Sequence, residues 1–138
     1  MKRDTFLKRL HEGKPLVADG AMGTLLHDRG VNFDSCFDEL NLTNPALVGS
    51  IHQEYIKAGA EVILTNTFGA NRYKLERCGL EELIDEINQT GVELARRIVR
   101  ASYKNVLIAG DIGPLGVRLA PFGRVQVEQA REAFKEQI

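Results

Sequence analysis

The chain has 138 residues, 43% of them hydrophobic, with 18 Lys and Arg against 19 Asp and Glu and a formal net charge of −1. That size suits one domain with a real core. The absence of any 18-residue apolar stretch excludes a membrane-spanning helix, and the absence of a Lys/Arg-rich run excludes the electrostatic footprint of a nucleic-acid binder. The basic opening at residues 1–10 lacks the apolar run of a secretory signal, so cytoplasmic residence is the expectation. Cys36 and Cys78 form no CxxC pair and are expected to be free thiols. His11, His27 and His52 have no HxxxH spacing, and no metal is expected on them.

Three short apolar runs punctuate the chain. Residues 14–18 contain Pro-Leu-Val-Ala and end at Asp19-Gly20; residues 61–64 read Glu-Val-Ile-Leu and end at Thr65-Asn66-Thr67; residues 105–109 read Asn-Val-Leu-Ile-Ala and end at Gly110-Asp111. Each is apolar throughout rather than alternating, which predicts strands of a parallel sheet buried on both faces. Helices are predicted between them. Asn44-Pro45 is a cap followed by a first-turn proline, Leu47, Val48, Ile51, Tyr55 and Ile56 form one stripe, and Gly59 closes the helix. A second long helix is predicted over residues 81–102, with Glu81-Glu82 at its electropositive start and Arg96, Arg97 and Arg100 on its solvated face. A third starts near Val125, and shorter helices are predicted at 5–11, 24–29 and 71–78.

The order βα, βα, βα predicts an α/β fold with parallel strands joined by helical crossovers. Gly20 and Gly23 lack the tight spacing of a dinucleotide fingerprint, which disfavours a doubly wound nucleotide-binding sheet. A TIM barrel needs about 250 residues and eight units. Residues 1–138 therefore read as the N-terminal portion of one such barrel, about three βα units, or as a small domain with exposed sheet edges.

Ligands of parallel α/β folds bind beyond the carboxyl ends of the strands. Each predicted strand here ends on a polar residue beside a glycine: Asp19-Gly20, Thr65 to Gly69, and Gly110-Asp111. A free amino acid needs such parts, a carboxylate for its ammonium and backbone N–H groups for its carboxylate. The same pairs are also ordinary turn chemistry.

Asp-Gly-Ala-Met-Gly-Thr at 19–24, Glu-Leu-Asn-Leu-Thr-Asn-Pro at 39–45, His52 to Ala60, Ile-Leu-Thr-Asn-Thr-Phe-Gly-Ala-Asn at 63–71 and Gly-Asp-Ile-Gly-Pro at 110–114 occur in register. Together they resemble the homocysteine S-methyltransferase domain family. That family includes the N-terminal module of cobalamin-dependent methionine synthase and the homocysteine methyltransferase half of fusions with methylenetetrahydrofolate reductase. The resemblance implies a TIM (β/α)8 barrel in which zinc, held by three cysteines, stabilises the homocysteine thiolate for attack on a methyl group. It implies that Asp19 holds the substrate ammonium, that backbone groups at Gly20, Ala21 and Met22 hold its carboxylate, and that Asn66, Thr67 and Phe68 line the pocket.

The zinc-binding cysteines of that pattern, including a Gly-Gly-Cys-Cys motif, belong to later strands, and Cys36 and Cys78 do not match them. The metal ligands are thus expected beyond Ile138, and residues 1–138 alone are expected to be inactive. The methyl donor stays open, with cobalamin or a folate supplied through other domains. Two rival readings also stay open: a non-catalytic truncated barrel used for binding or assembly, and an unrelated TIM-barrel enzyme. Unpaired strand edges and the faces of Val17, Ile63 and Ile108 lead to the expectation that the isolated chain self-associates.

Overall fold

The computed structural model describes the backbone from Arg3 to Ile138 and the side chains from Phe6 onward. Helix α1 (Arg3–His11) leads into an extended stretch at residues 14–19. Helices α2 (Met22–Asp28), α3 (Leu40–Thr43) and α4 (Pro45–Ala58) follow, and then strand β1 (Val62–Leu64). After β1 come α5 (Arg72–Leu75), two 3-10 turns at Glu76–Cys78 and Glu81–Leu83, and the long α6 (Ile84–Ser102). Strand β2 (Leu107–Ala109) and helix α7 (Val127–Gln137) complete the order.

β1 and β2 are parallel, with Val62 opposite Leu107, Ile63 opposite Ile108 and Leu64 opposite Ala109. The first expected strand, at residues 14–18, is shortened to a single parallel bridge, Ala18 to Val62, on the other edge of β1. The Val62 N–H donates to the Val17 carbonyl at 3.2 Å, but two residues on the Leu64 N–H goes to the Asp19 carboxylate at 3.0 Å. A side chain thus takes the next rung of the ladder, and the strand ends at its bridge. The expectation of sheet strands buried on both faces also needs correction. Ile63 is fully buried while Val62 and Leu64 are half-buried, and Val17 is 58% exposed.

Local signals explain the helices. The Asn44 side chain caps α4 by accepting from the Leu47 N–H at 3.3 Å, and Gly59 ends the helix at φ +112°, where other residues are strained. The predicted helix at 81–102 is a 3-10 turn followed by α6, and the one at 71–78 is α5 followed by another 3-10 turn. Asn71 caps α5, accepting from the Lys74 N–H at 3.2 Å. Helix α7 starts on a capping box in which Gln126 and Gln129 exchange hydrogen bonds with each other's backbone.

Ile56, Ala60, Ile63, Ala95 and Val106 pack α4 and α6 beneath the sheet, and Ile108 joins them. Leu26, Val48, Ile51 and Leu94 tie α2 to the same helix pair. α4 and α6 approach closely at Gly49, where a Cβ would already meet Ile98 at 3.2 Å. The fully buried Ile63 thus faces the helices and takes no part in an open inner face; of the residues on which self-association was expected, Val17 is the exposed one. No helix among the described residues is long and apolar enough to cross a membrane.

Candidate functional site

Asp19 lies where the first extended segment leaves the sheet. Its N–H donates to the Val62 carbonyl at 2.9 Å and its Oδ2 accepts from the Leu64 N–H at 3.0 Å. Oδ1 is shielded from solvent and has no hydrogen-bond partner. Burial raises this carboxyl above the ordinary range; the Leu64 N–H opposes the shift, and the nearby Asp111 charge adds to it. An acceptor left without a donor in a half-buried place is costly unless a ligand supplies one.

The chain then turns through Gly20 and Ala21, both exposed, into Met22, half-buried, at the start of α2. The Tyr55 hydroxyl donates to the Ala21 carbonyl at 3.1 Å. A Cβ at Gly20 would stand 2.9 Å from that hydroxyl, so a larger residue there would have to displace the Tyr55 side chain. Ala21 offers no side-chain cap to α2, so the backbone N–H groups of this turn carry no side-chain acceptor.

Asn66 and Thr67 are placed differently from residues that present free polar atoms. Asn66 is 6% exposed, and its amide donates to the Phe37 carbonyl at 2.8 Å and to Asn41 Oδ1 at 3.1 Å. Asn41 in turn donates to the Asn66 carbonyl at 2.8 Å. The Thr67 hydroxyl donates to the Asp111 carbonyl at 2.9 Å and lies 2.7 Å from the Thr65 hydroxyl, which accepts from the Asp111 N–H at 3.0 Å. The Gln137 amide donates to the Thr67 carbonyl at 2.8 Å. These two side chains lock the strand-end loops together. Phe68, by contrast, is 53% exposed.

Two participants escape the sequence motifs. Asp38 is buried, and its Oδ1 accepts from the Gly69 N–H at 2.9 Å. Its carboxyl is raised by burial, partly offset by the Gly69 N–H. Lys74 places its ammonium 4.5 Å from the Phe68 ring centroid and within Coulombic reach of Asp38 and Asp111. No local pattern marks either, since an acid in a polar loop and a lysine on a short helix are commonplace. Asp111 therefore lies within Coulombic reach of both Asp19 and Asp38 at the carboxyl ends of the strands, and Lys74 is a counter-charge to Asp38 and Asp111.

Among the described residues no group of three or more His, Cys, Asp or Glu side chains is placed to hold a metal ion. Cys36 and Cys78 are free thiols; burial pushes the Cys36 thiol up to about 12, away from the thiolate a metal binds.

The family model for homocysteine S-methyltransferase matches residues 16–138. The chain belongs to the homocysteine S-methyltransferase family. Among curated relatives, the methionine synthase of Mycobacterium leprae is 33% identical over 143 residues, covering 96% of this chain and 12% of that protein. The methionine synthase of Mycobacterium tuberculosis is 32% identical over 142 residues with the same coverage, 96% and 12%. The chain thus spans about an eighth of the length of these family members.

Solved structures agree. The metallated form of the Escherichia coli homocysteine methyltransferase MmuM superposes with a TM-score of 0.68 at 30% identity, over 80% of this chain and 42% of that one. Its oxidized form gives 0.70 at 31%, over 80% and 41%. The mixed parallel α/β architecture is therefore the architecture of this part of solved family members.

Proposed function

We propose that this chain is the N-terminal part, about three βα units, of a TIM (β/α)8 barrel that binds homocysteine and transfers a methyl group to its sulfur to form methionine. The observation that carries the reading is Asp19. It is a half-buried carboxylate fixed through one oxygen to β1, with its other oxygen unpaired, beside an exposed Gly20-Ala21 backbone turn in a chain of this family. An α-amino acid supplies the missing donor with its ammonium group and an acceptor for the turn's N–H groups with its carboxylate.

In this reading Asp19 holds the substrate ammonium. Gly20, Ala21 and Met22 meet the carboxylate through their backbone, and Phe68 flanks the pocket. Asn66 and Thr67 form its back wall and act by fixing the loops, because their own polar atoms are already engaged. Metal-assisted thiolate formation fits the family, and one relative is a metallated form. Among the described residues, however, no group fits a zinc centre: Cys36 and Cys78 match no ligand set, and burial holds the Cys36 thiol protonated. Zinc ligands are assigned to residues outside 1–138, and no step of the chemistry is assigned to metal-binding groups here. A cytoplasmic enzyme is the setting consistent with this reading.

The test is calorimetric titration of L-homocysteine into the zinc-loaded full-length protein and its Asp19→Asn variant. Asparagine can still accept from the Leu64 N–H, so the fold is spared while the charge is lost. A loss on the order of 1.5–3 kcal/mol in binding is expected for a charge-assisted bond to a substrate ammonium. Equal affinities would reduce Asp19 to a turn residue.

A further inference from the structure

Resting on the homocysteine methyltransferase reading, we infer that the two charged groups of the substrate are held on separate supports and that Tyr55 is the positioning residue of one of them. Its hydroxyl ties the Gly20-Ala21 turn, which meets the carboxylate, to α4, while Asp19, which meets the ammonium, is tied to β1.

By spacing alone Tyr55 is one more member of the apolar stripe of α4, but its two ends do different things. The ring is half-buried and packs against two core clusters, one around Ile56 and Ile63 and one around Leu26, Val48 and Ile51. The hydroxyl reaches past both and donates to the Ala21 carbonyl at 3.1 Å, 34 residues away in the chain. The missing side chain of Gly20 leaves room for it, since a Cβ there would stand 2.9 Å from the hydroxyl oxygen and 3.3 Å from Cε1. Burial, and after it the Asp19 charge, push the phenol above its ordinary range, so it stays protonated and able to donate at neutral pH.

The turn has little else to hold it. Gly20 and Ala21 are exposed, and Ala21 gives α2 no side-chain cap. Helix α2 has only 7 residues, so its own first turn frays easily, and the tyrosine braces it against the 14-residue α4. The Ala21 carbonyl belongs to the peptide whose N–H is that of Met22, and this peptide is trans. In a trans peptide the C=O and N–H point in opposite directions. A donor on the Ala21 carbonyl therefore fixes the direction of the Met22 N–H, and it polarises that N–H toward an acceptor such as a carboxylate.

Asp19 does not depend on this brace. Its N–H donates to the Val62 carbonyl at 2.9 Å and its Oδ2 accepts from the Leu64 N–H at 3.0 Å. Oδ1 has no partner, and the Tyr55 hydroxyl donates to Ala21 instead. Removing the hydroxyl thus loosens the carboxylate end of the site and leaves the ammonium end on the sheet.

The probes are L-homocysteine, its decarboxylated analogue aminopropanethiol and its deaminated analogue mercaptobutyrate, titrated calorimetrically into the zinc-loaded full-length protein. All three keep the thiol, so its contribution cancels in the comparison. Tyr55→Phe, which keeps the ring in both clusters, is expected to weaken homocysteine and mercaptobutyrate about tenfold, the scale of one charge-assisted bond, and to leave aminopropanethiol within about twofold of wild type. Tyr55→Met, which fills the same apolar space without a ring, is to show the same split. Asp19→Asn is to show the reverse one, weakening homocysteine and aminopropanethiol and sparing mercaptobutyrate.

A uniform loss across the three ligands in both tyrosine variants would make Tyr55 a packing residue and overturn the inference, as would no loss at all. A loss of mercaptobutyrate binding in Asp19→Asn would overturn the separate supports. A wild type that binds none of the three removes the methyltransferase reading and the inference with it. A wild type that binds homocysteine, with tyrosine variants that show no split, removes the role of Tyr55 alone.

Discussion

Asn41 and Asn66 hold each other through two hydrogen bonds. Asn41 Nδ2 donates to the Asn66 carbonyl at 2.8 Å, and Asn66 Nδ2 donates to Asn41 Oδ1 at 3.1 Å. Asn41 is fully buried, and its amide also reaches the Ile87 carbonyl at 3.2 Å. One side chain on the short α3 thus joins the loop after β1 to α6. Replacing Asn41 by alanine leaves the Asn66 carbonyl and one Asn66 amide N–H without a partner in a dry place, while the other N–H keeps the Phe37 carbonyl. A loss on the order of 2–4 kcal/mol is expected, since each buried group left unpaired costs about 1–3 kcal/mol. Chemical unfolding of the Asn41→Ala chain measures it, and a change under about 0.5 kcal/mol, the scale of an ordinary surface substitution, would refute the clamp.

Gly91 on α6 faces that clamp. A Cβ there would stand 2.7 Å from Asn41 Nδ2 and 2.8 Å from Thr67 Cγ2. Gly91→Ala gains helix propensity of about 1 kcal/mol but overpacks a filled interface, which typically costs about 1–3 kcal/mol. The expected sum is net destabilisation together with weaker homocysteine binding in the full-length protein, because Thr67 carries the Asp111 loop. A variant more stable than wild type would show that α6 can shift to make room.

The two carboxylate oxygens of Asp19 differ, Oδ2 bonded to the Leu64 N–H and Oδ1 without a partner, and substitution can separate the structural role from the proposed ligand-binding one. Asp19→Ala leaves the Leu64 N–H without its acceptor and should cost on the order of 1–3 kcal/mol of stability, whereas Asp19→Asn should cost far less. Differential scanning calorimetry of the pair checks this. Identical melting of the two variants would mean that the Leu64 bond contributes nothing.

His52 is fully buried, with neither ring nitrogen hydrogen-bonded, and burial lowers its value from 6.5 to about 4. In the unfolded chain it takes up a proton near pH 6.5; in the folded chain it stays neutral down to about pH 4. The unfolded state therefore binds more protons between those values, and stability falls as the pH is lowered from 6.5 to 4. The loss amounts to something on the order of 3 kcal/mol by pH 4. Asp19, Asp38 and Asp111, whose values are raised, act in the opposite direction, so the difference between wild type and His52→Leu isolates the imidazole. His52→Leu is expected to match wild type at pH 8 and to exceed it increasingly below pH 6.5. Parallel stability profiles would show that the ring is solvated or paired.

The unpaired edges of the sheet invite association. Val17 is 58% exposed beside the Ala18 bridge, and Ile112 beyond β2 is 47% exposed. The isolated 138-residue chain is expected to self-associate or to bind a hydrophobic dye. Sedimentation velocity decides: a compact monomer without dye binding would mean that these units close their own surface.

Sequence alone determined the local frame. Asn44-Pro45 and Gly59 set the limits of α4 because a cap and a left-handed C-terminal residue are local chemistry. The apolar runs placed β1 and β2, and the strand-end motifs in register pointed to the family that the matching family model now shows. Tertiary structure decided what each polar side chain does. Asp19 ends its own strand by taking a ladder rung from Leu64, 45 residues away, and a propensity cannot foresee that. Asn66 and Thr67 anchor the strand-end loops because Phe37, Asn41 and Asp111 reach them from distant segments. Asp38 and Lys74 entered the site unannounced for the same reason: their partners at Gly69 and Phe68 are brought near by packing, and the energy of a hydrogen bond or a charge depends on which atoms the fold places within a few ångströms.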